Sequence, residues 1–270
     1  MSEVTSPYPN GTPAWVDLMT TDREGAVRFY RGLFGWEFNV AGPEYGFYSQ
    51  GVVRGLPVAG IGEAPPADQG GPQFPVAWTT YLAVDDCDAA CERARAAGGH
   101  VILEPMDVMD EGRMAMIADP TGAMVGLWQA GRHLGARVVN EPNSLCWNEL
   151  TTRDAARAIE FFTQMFGYEL ERVPPPPEAP EFDYTAFRLA GRGVGGVLGM
   201  TSDWPADIQP HWMTYFAVAD ADDTAAMVKE LGGEVTHGPF DSAFGRIAVI
   251  RDPYGATFSV LQMTDDDAPD

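Results

Sequence analysis

The sequence predicts an α+β fold built from four βαβββ units, and three observations carry that expectation. The chain repeats itself: "TDREGAVRFYRGLFGWE" at residues 21–37 returns in pattern as "RDAARAIEFFTQMFGYE" at residues 153–169. A second block, "YLAVDDCDAACERARAAGG", returns as "YFAVADADDTAAMVKELGG". Within each half, a strand, an amphipathic helix and three short β-rich stretches follow one another twice.

The elements follow from local chemistry. "AWVDLMT" alternates like a strand, and Asp22 is placed to cap a helix through Phe34. Ala26, Phe29, Tyr30 and Leu33 share one face of that helix, and Gly35 closes it. "TTYLAV" is the next strand, Asp86 or Asp88 caps a helix through Ala97, and Gly98-Gly99 ends it. "WEFNV", "GFYSQ" and "LPVAGIG" complete the first unit, and "HVILEP", "RMAMIAD" and "AMVGLWQ" the second. Asp-Pro-x-Gly turns stand at Asp119 and Asp252. The register between the halves slips only in Pro- and Gly-rich connections such as "RVPPPPEAPEFDY" and "GEAPPADQGGPQFP", where duplicated domains tolerate insertion. The boundaries are therefore 11–131 for the first domain, a polar, turn-rich linker at 132–144, and 145–264 for the second.

Composition excludes several partners. With 45% hydrophobic and 21% charged residues the chain is globular, and a net charge of −22 repels nucleic acid and anionic lipid. No apolar run reaches the ~18 residues of a membrane span, and the start has no secretory layout; the expected location is the cytoplasm. Three cysteines without a Cys-x-x-Cys pair fit reduced, packed thiols.

The paired βαβββ units, the helix signature at Asp22, Phe29, Tyr30 and Leu33 to Trp36, and the Asp-Pro-x-Gly turns resemble the vicinal oxygen chelate superfamily. That group contains glyoxalase I, bleomycin resistance proteins and extradiol dioxygenases. The likeness covers roughly Gly11 to Met263 and is that of a tandem two-domain member. It implies that each pair of units curls a sheet into a cup, with helices on the convex side and ligand in the hollow. It also implies one divalent metal held by His, Gln or Glu on the first and last strands. Those positions fall on Trp15, Thr79, Trp147, Met213, Gly126 and Ser259, and near Ala59-Gly60 and Gly199-Met200. None is a metal-binding type, so no cofactor is expected. His100, His133, His211 and His237 have no second ligand at a matching spacing and read as packed or solvated.

Strand alternation puts Trp15, Asp17 and Met19 on one face and Trp147, Glu149 and Thr151 on its equivalent, which the family register makes concave. Tyr81, Tyr215, Trp128, Leu261 and Ser259 join them from neighbouring strands. Such a set fits a planar small molecule held by stacking and one or two hydrogen bonds. Pseudo-twofold symmetry sets Tyr81 opposite Asp17 and Tyr215 opposite Glu149 as donors to the acids. The functional expectation is a metal-free, resistance-type protein binding a hydrophobic, aromatic ligand, with the domains paired inside one monomeric chain. Three alternatives stay open. One is a glyoxalase-type lyase or isomerase with a divergent metal site, or with Asp17 or Glu149 as general base. Another is a scaffold, and in the last Trp15 and Trp147 merely fill the core.

Overall fold

A computed structural model describes residues 3–64, 76–175, 179 and 181–264; parts of both Pro-rich insertions lie outside them. Four units follow in order. The first is β1 (Pro13–Thr20), α1 (Arg23–Phe34), β2 (Glu37–Val40), β3 (Ser49–Val53) and β4 (Leu56–Glu63). The second is β5 (Ala77–Ala83), α2 (Cys87–Ala96), β6 (His100–Val108), β7 (Gly112–Ala118) and β8 (Met124–Ala130). The third is β9 (Leu145–Thr152), α3 (Ala155–Phe166), β10 (Glu169–Val173), β11 (Tyr184–Leu189) and β12 (Arg192–Gly199). The fourth is β13 (His211–Ala217), α4 (Ala221–Glu230), β14 (Glu234–Ser242), β15 (Gly245–Arg251) and β16 (Thr257–Met263).

Each helix starts where an aspartate accepts a backbone N–H three residues on: Asp22 from Gly25, Asp86 from Ala89, Asp154 from Arg157 and Asp220 from Asp223. Gly35 and Gly167 end α1 and α3 in the left-handed conformation that a glycine adopts without steric cost. In the Asp-Pro-x-Gly turns, Asp119 Oδ1 accepts from the N–H groups of Thr121 and Ala123, and Asp252 Oδ1 from those of Tyr254 and Ala256.

The two units of each half share one eight-stranded sheet, in the orders β2-β3-β4-β1-β5-β8-β7-β6 and β10-β11-β12-β9-β13-β16-β15-β14. The units meet where β1 pairs antiparallel with β5, and β9 with β13. Alternation along β1 then separates the faces. Val16 and Leu18 enter the core with α1, while Trp15 belongs to a separate cluster on the other side of the sheet with Tyr81, Met116 and Trp128.

The halves pack through their helix-bearing faces, and they do so crosswise. Phe29, Tyr30 and Phe34 of the first unit share a core with Phe216, Val228 and Phe258 of the fourth. Cys87, Cys91 and Leu127 of the second share one with Phe161, Phe162 and Met165 of the third. A buried hydrogen bond, Thr80 Oγ1 to Asn148 Oδ1 at 2.6 Å, ties β5 to β9.

Two features differ from the sequence expectation. The strand expected at residues 46–50 begins at Ser49, because Pro43–Tyr45 forms a 3-10 turn and Gly46 and Phe47 both take positive φ. The linker is a packed element: Ala136, Val138 and Ser144 are fully buried, because Ala136 N–H bonds to Ala14 carbonyl and Arg137 N–H to Pro57 carbonyl, both at 2.7 Å.

Candidate functional site

The face away from the helices carries the same four-residue arrangement in both halves. In the first, Trp15 Nε1 donates to the Tyr48 hydroxyl at 3.1 Å. Tyr48 and Tyr81 each donate to Asp17 Oδ2 at 3.3 Å. In the second, Trp147 Nε1 donates to the Tyr184 hydroxyl at 2.8 Å, and Tyr215 donates to Glu149 Oε1 at 3.1 Å. Tyr184 also hydrogen-bonds Glu149. The pairs Tyr81–Asp17 and Tyr215–Glu149 are those that symmetry between units led the sequence to expect.

Tyr48 and Tyr184, the members that sequence reasoning missed, stand just before β3 and at the first residue of β11, the strands beside β4 and β12. Their signal was the glycine beneath them. A Cβ on Gly60 would lie 1.8 Å from the Tyr48 hydroxyl, and one on Gly196 2.3 Å from that of Tyr184. Gly126 plays the same part for Tyr81, whose ring would be 2.1 Å from a Cβ there. A glycine inside a strand often marks the close approach of another group, and here that group is a phenol ring.

Both acids are buried, and burial pushes the Asp17 carboxyl up to about 7, against the hydrogen bonds from Tyr48 and Tyr81 that hold it down. Burial likewise takes Glu149 up to about 7, opposed by Tyr215 and Tyr184. The phenols move well upward, chiefly through burial and secondarily through the adjacent acid, and so remain donors. Asp17 Oδ1 is sealed and has no protein partner. The neutral acid carries an O–H that can donate, and the ionised acid only accepts.

The other residues named from sequence lie near these groups as follows. Trp128 lines the first cup, its Nε1 donating to His133 carbonyl at 2.9 Å. Ser259 is fully buried beside Tyr215 across the β13–β16 ladder. Leu261 is buried at the position equivalent to Trp128. His133, read from sequence as a loop histidine, reaches the first cup and packs edge-on to Trp15; nothing in its turn-rich segment signalled that.

A chelated divalent metal does not fit these residues. At Gly126 and Gly60 the room a ligating side chain would need is filled by the rings of Tyr81 and Tyr48. Among the described residues, no three His, Cys, Asp or Glu side chains come together to hold an ion. Nor is any helix among them long and apolar enough to cross a membrane.

Comparison with known proteins places the fold. Residues 12–127 and 132–260 each match the Glyoxalase/Bleomycin resistance protein/Dioxygenase superfamily. The chain is 43% identical over 260 residues to the Mycobacterium tuberculosis protein named "Putative glyoxylase CFP32", covering 95% of this chain and 97% of that one. It is 37% identical over 270 residues to the anthracycline biosynthesis protein DnrV of Streptomyces peucetius, covering 95% and 94%. Among solved structures, the 2,3-dioxygenase LapB from Pseudomonas sp. KL28 superposes with a TM-score of 0.64 at 15% identity, over 97% of both chains. The Mn(II)-bound glyoxalase from Novosphingobium aromaticivorans gives 0.63 at 17%, over 97% of this chain and 87% of that one. With its two sheets of paired βαβββ units, this chain belongs to the glyoxalase, bleomycin resistance protein and dioxygenase superfamily, as a tandem two-domain member.

Proposed function

We propose that this protein binds a planar, hydroxylated aromatic small molecule in a cup-shaped pocket without a metal, as a sequestering or presenting protein. One observation carries the reading: where a metalloenzyme of this fold needs ligating side chains, each half has a Trp, two Tyr and one acid joined by hydrogen bonds. Indole and phenol rings supply stacking area, and the acid supplies one polar anchor of adjustable protonation. The likeness to a protein of anthracycline biosynthesis supports a flat polycyclic ligand. The test is a fluorescence titration of chelator-treated protein with 1,4-dihydroxyanthraquinone. Saturable binding is expected, with affinity reduced about tenfold or more by Trp147→Ala, on the scale of one lost stacking contact. Binding that appears only after Mn(II), Ni(II) or Zn(II) is added would overturn the reading.

A second reading rests on the two acids. A carboxyl raised to about 7 suits a general base working near neutrality. Turnover of a dicarbonyl or hydroxyaromatic compound, abolished by Glu149→Gln or Asp17→Asn with binding retained, would establish it.

A further inference from the structure

The two cups carry the same polar set under different covers. In the first, the His133 ring stands edge-on to Trp15, centroids 4.4 Å apart at 88°, and to Trp128 at 5.6 Å and 71°. The segment bearing it is fastened at several points. Trp128 Nε1 bonds to His133 carbonyl, the Tyr8 hydroxyl to Ala136 carbonyl at 2.5 Å, and Ala136 and Arg137 N–H groups to the starts of β1 and β4. His133 is part-exposed as a residue, yet its Nε2 tip is sealed from solvent and has no partner. Burial lowers its pKa to about 4, so the ring is neutral at physiological pH. A flat, neutral heteroaromatic ring set edge-on to two indoles is what an aromatic guest would present there.

The second cup is arranged otherwise. Trp147, Met213 and Tyr215 keep part of their surface open to solvent, whereas Trp15 and Tyr81 are buried. Phe182 stacks on Tyr184 with centroids 5.7 Å apart and planes at 4°. Phe244, exposed in the β14–β15 turn, reaches Tyr184 from the other unit at 5.8 Å. The residue matching Phe244 in the first half is Glu111. Aromatic surface thus remains available at the rim of the second cup and has been used up inside the first.

We propose that His133 occupies the first cup as an internal substitute for ligand, and that the second cup alone binds the flat aromatic, against Trp147 with its hydroxyl at Glu149. This rests on the binding function proposed above. A tethered ring acts at an effective concentration on the order of millimolar, so a free ligand of similar intrinsic affinity at lower concentration is excluded from the first cup.

The experiment has a ligand arm and a ligand-free arm. Titrated with 1,4-dihydroxyanthraquinone, the full chain should bind one equivalent, lost in Trp147→Ala and kept in Trp15→Phe. His133→Gly should bind a second equivalent, and His133→Phe should return the count to one. In the ligand-free arm, diethylpyrocarbonate at neutral pH followed by peptide mass spectrometry should modify exposed His100 and His237 at least tenfold faster than His133. Acrylamide quenching, taken as the difference between the chain and its Trp15→Phe variant, should show Trp15 protected until His133→Gly exposes it. Two equivalents in the wild-type chain, or binding lost with Trp15 and kept without Trp147, overturns the proposal. So does His133 modified as fast as His100. A chain that binds no probe while His133 and Trp15 stay protected overturns the binding function and the second-cup assignment, and leaves the plug established.

Discussion

Tyr30 and Phe162 hold equivalent places in the two halves and differ by one oxygen atom. The Tyr30 hydroxyl accepts from Trp78 Nε1 and donates to Asp252 Oδ2, both at 3.0 Å. Phe162 meets Trp212 in the same edge-on geometry, 5.3 Å and 87° against 5.2 Å and 86°. Lacking the hydroxyl, it leaves Trp212 Nε1 and Asp119 Oδ2 buried without partners.

Phe162→Tyr should therefore stabilise the chain by about 1–2 kcal/mol, since one hydroxyl serves two orphaned groups. Tyr30→Phe should cost at least as much. Urea unfolding followed by fluorescence measures both; a destabilised Phe162→Tyr would show that the second site has no room for the oxygen.

The acids give stability a pH dependence whose sign is fixed. Asp17 and Glu149 have folded pKa values of about 7, above their ordinary values. The folded chain thus holds protons that the unfolded chain has released. Their stabilisation is full below about pH 4 and is lost as pH rises through about 7, by roughly 5–10 kcal/mol in all. His133 acts oppositely: with a folded value of about 4, its contribution is full above about 6.5 and is lost as pH falls toward 4. Denaturation midpoints between pH 6.5 and 8 should fall in the wild type and stay nearly level in the Asp17→Asn, Glu149→Gln double variant. A wild-type midpoint that is flat over that range would contradict the buried, raised acids.

Gly126→Ala should destabilise by about 1–3 kcal/mol, as overpacking does, because its Cβ would enter the Tyr81 ring. Adding Tyr81→Ser should recover much of that loss, and a double-mutant cycle reads the coupling. Additive effects would mean that the ring and the glycine are independent.

The crosswise cores predict the behaviour of separated halves. Residues 3–131 alone would expose the α1 and α2 faces that α4 and α3 cover. Such a fragment should dimerise or aggregate, while the whole chain is expected to be a monomer; light scattering after size exclusion distinguishes the outcomes. A stable, monomeric fragment would show that the cores are separable.

What the sequence disclosed was what local rules govern. The aspartate caps, the closing glycines and the Asp-Pro-x-Gly turns act within a few residues, and alternation along β1 and β9 was enough to place Trp15, Asp17, Trp147 and Glu149 on one face. Tyr48 escaped because it lies 31 residues from Asp17, beyond a turn whose positive-φ residues break any period. His133 escaped for a related reason: a segment without strand or helix periodicity gives no face to assign, and its place is fixed only by bonds to β1, β4 and Trp128. The crosswise pairing of units was equally silent, since one apolar helix stripe looks the same whichever partner covers it.

That pairing also sets a timetable for synthesis. Phe34 packs against Phe216 and Phe258, which leave the ribosome more than half the chain later. At ~5–20 residues per second, the α1 face waits on the order of ten seconds or more for its cover. During that interval the nascent first half presents Phe29, Leu33 and Phe34 to whatever is near, another nascent chain included. Translation speed across the second half, and the chaperones that bridge the wait, thus become determinants of yield for a protein whose finished form hides those rings.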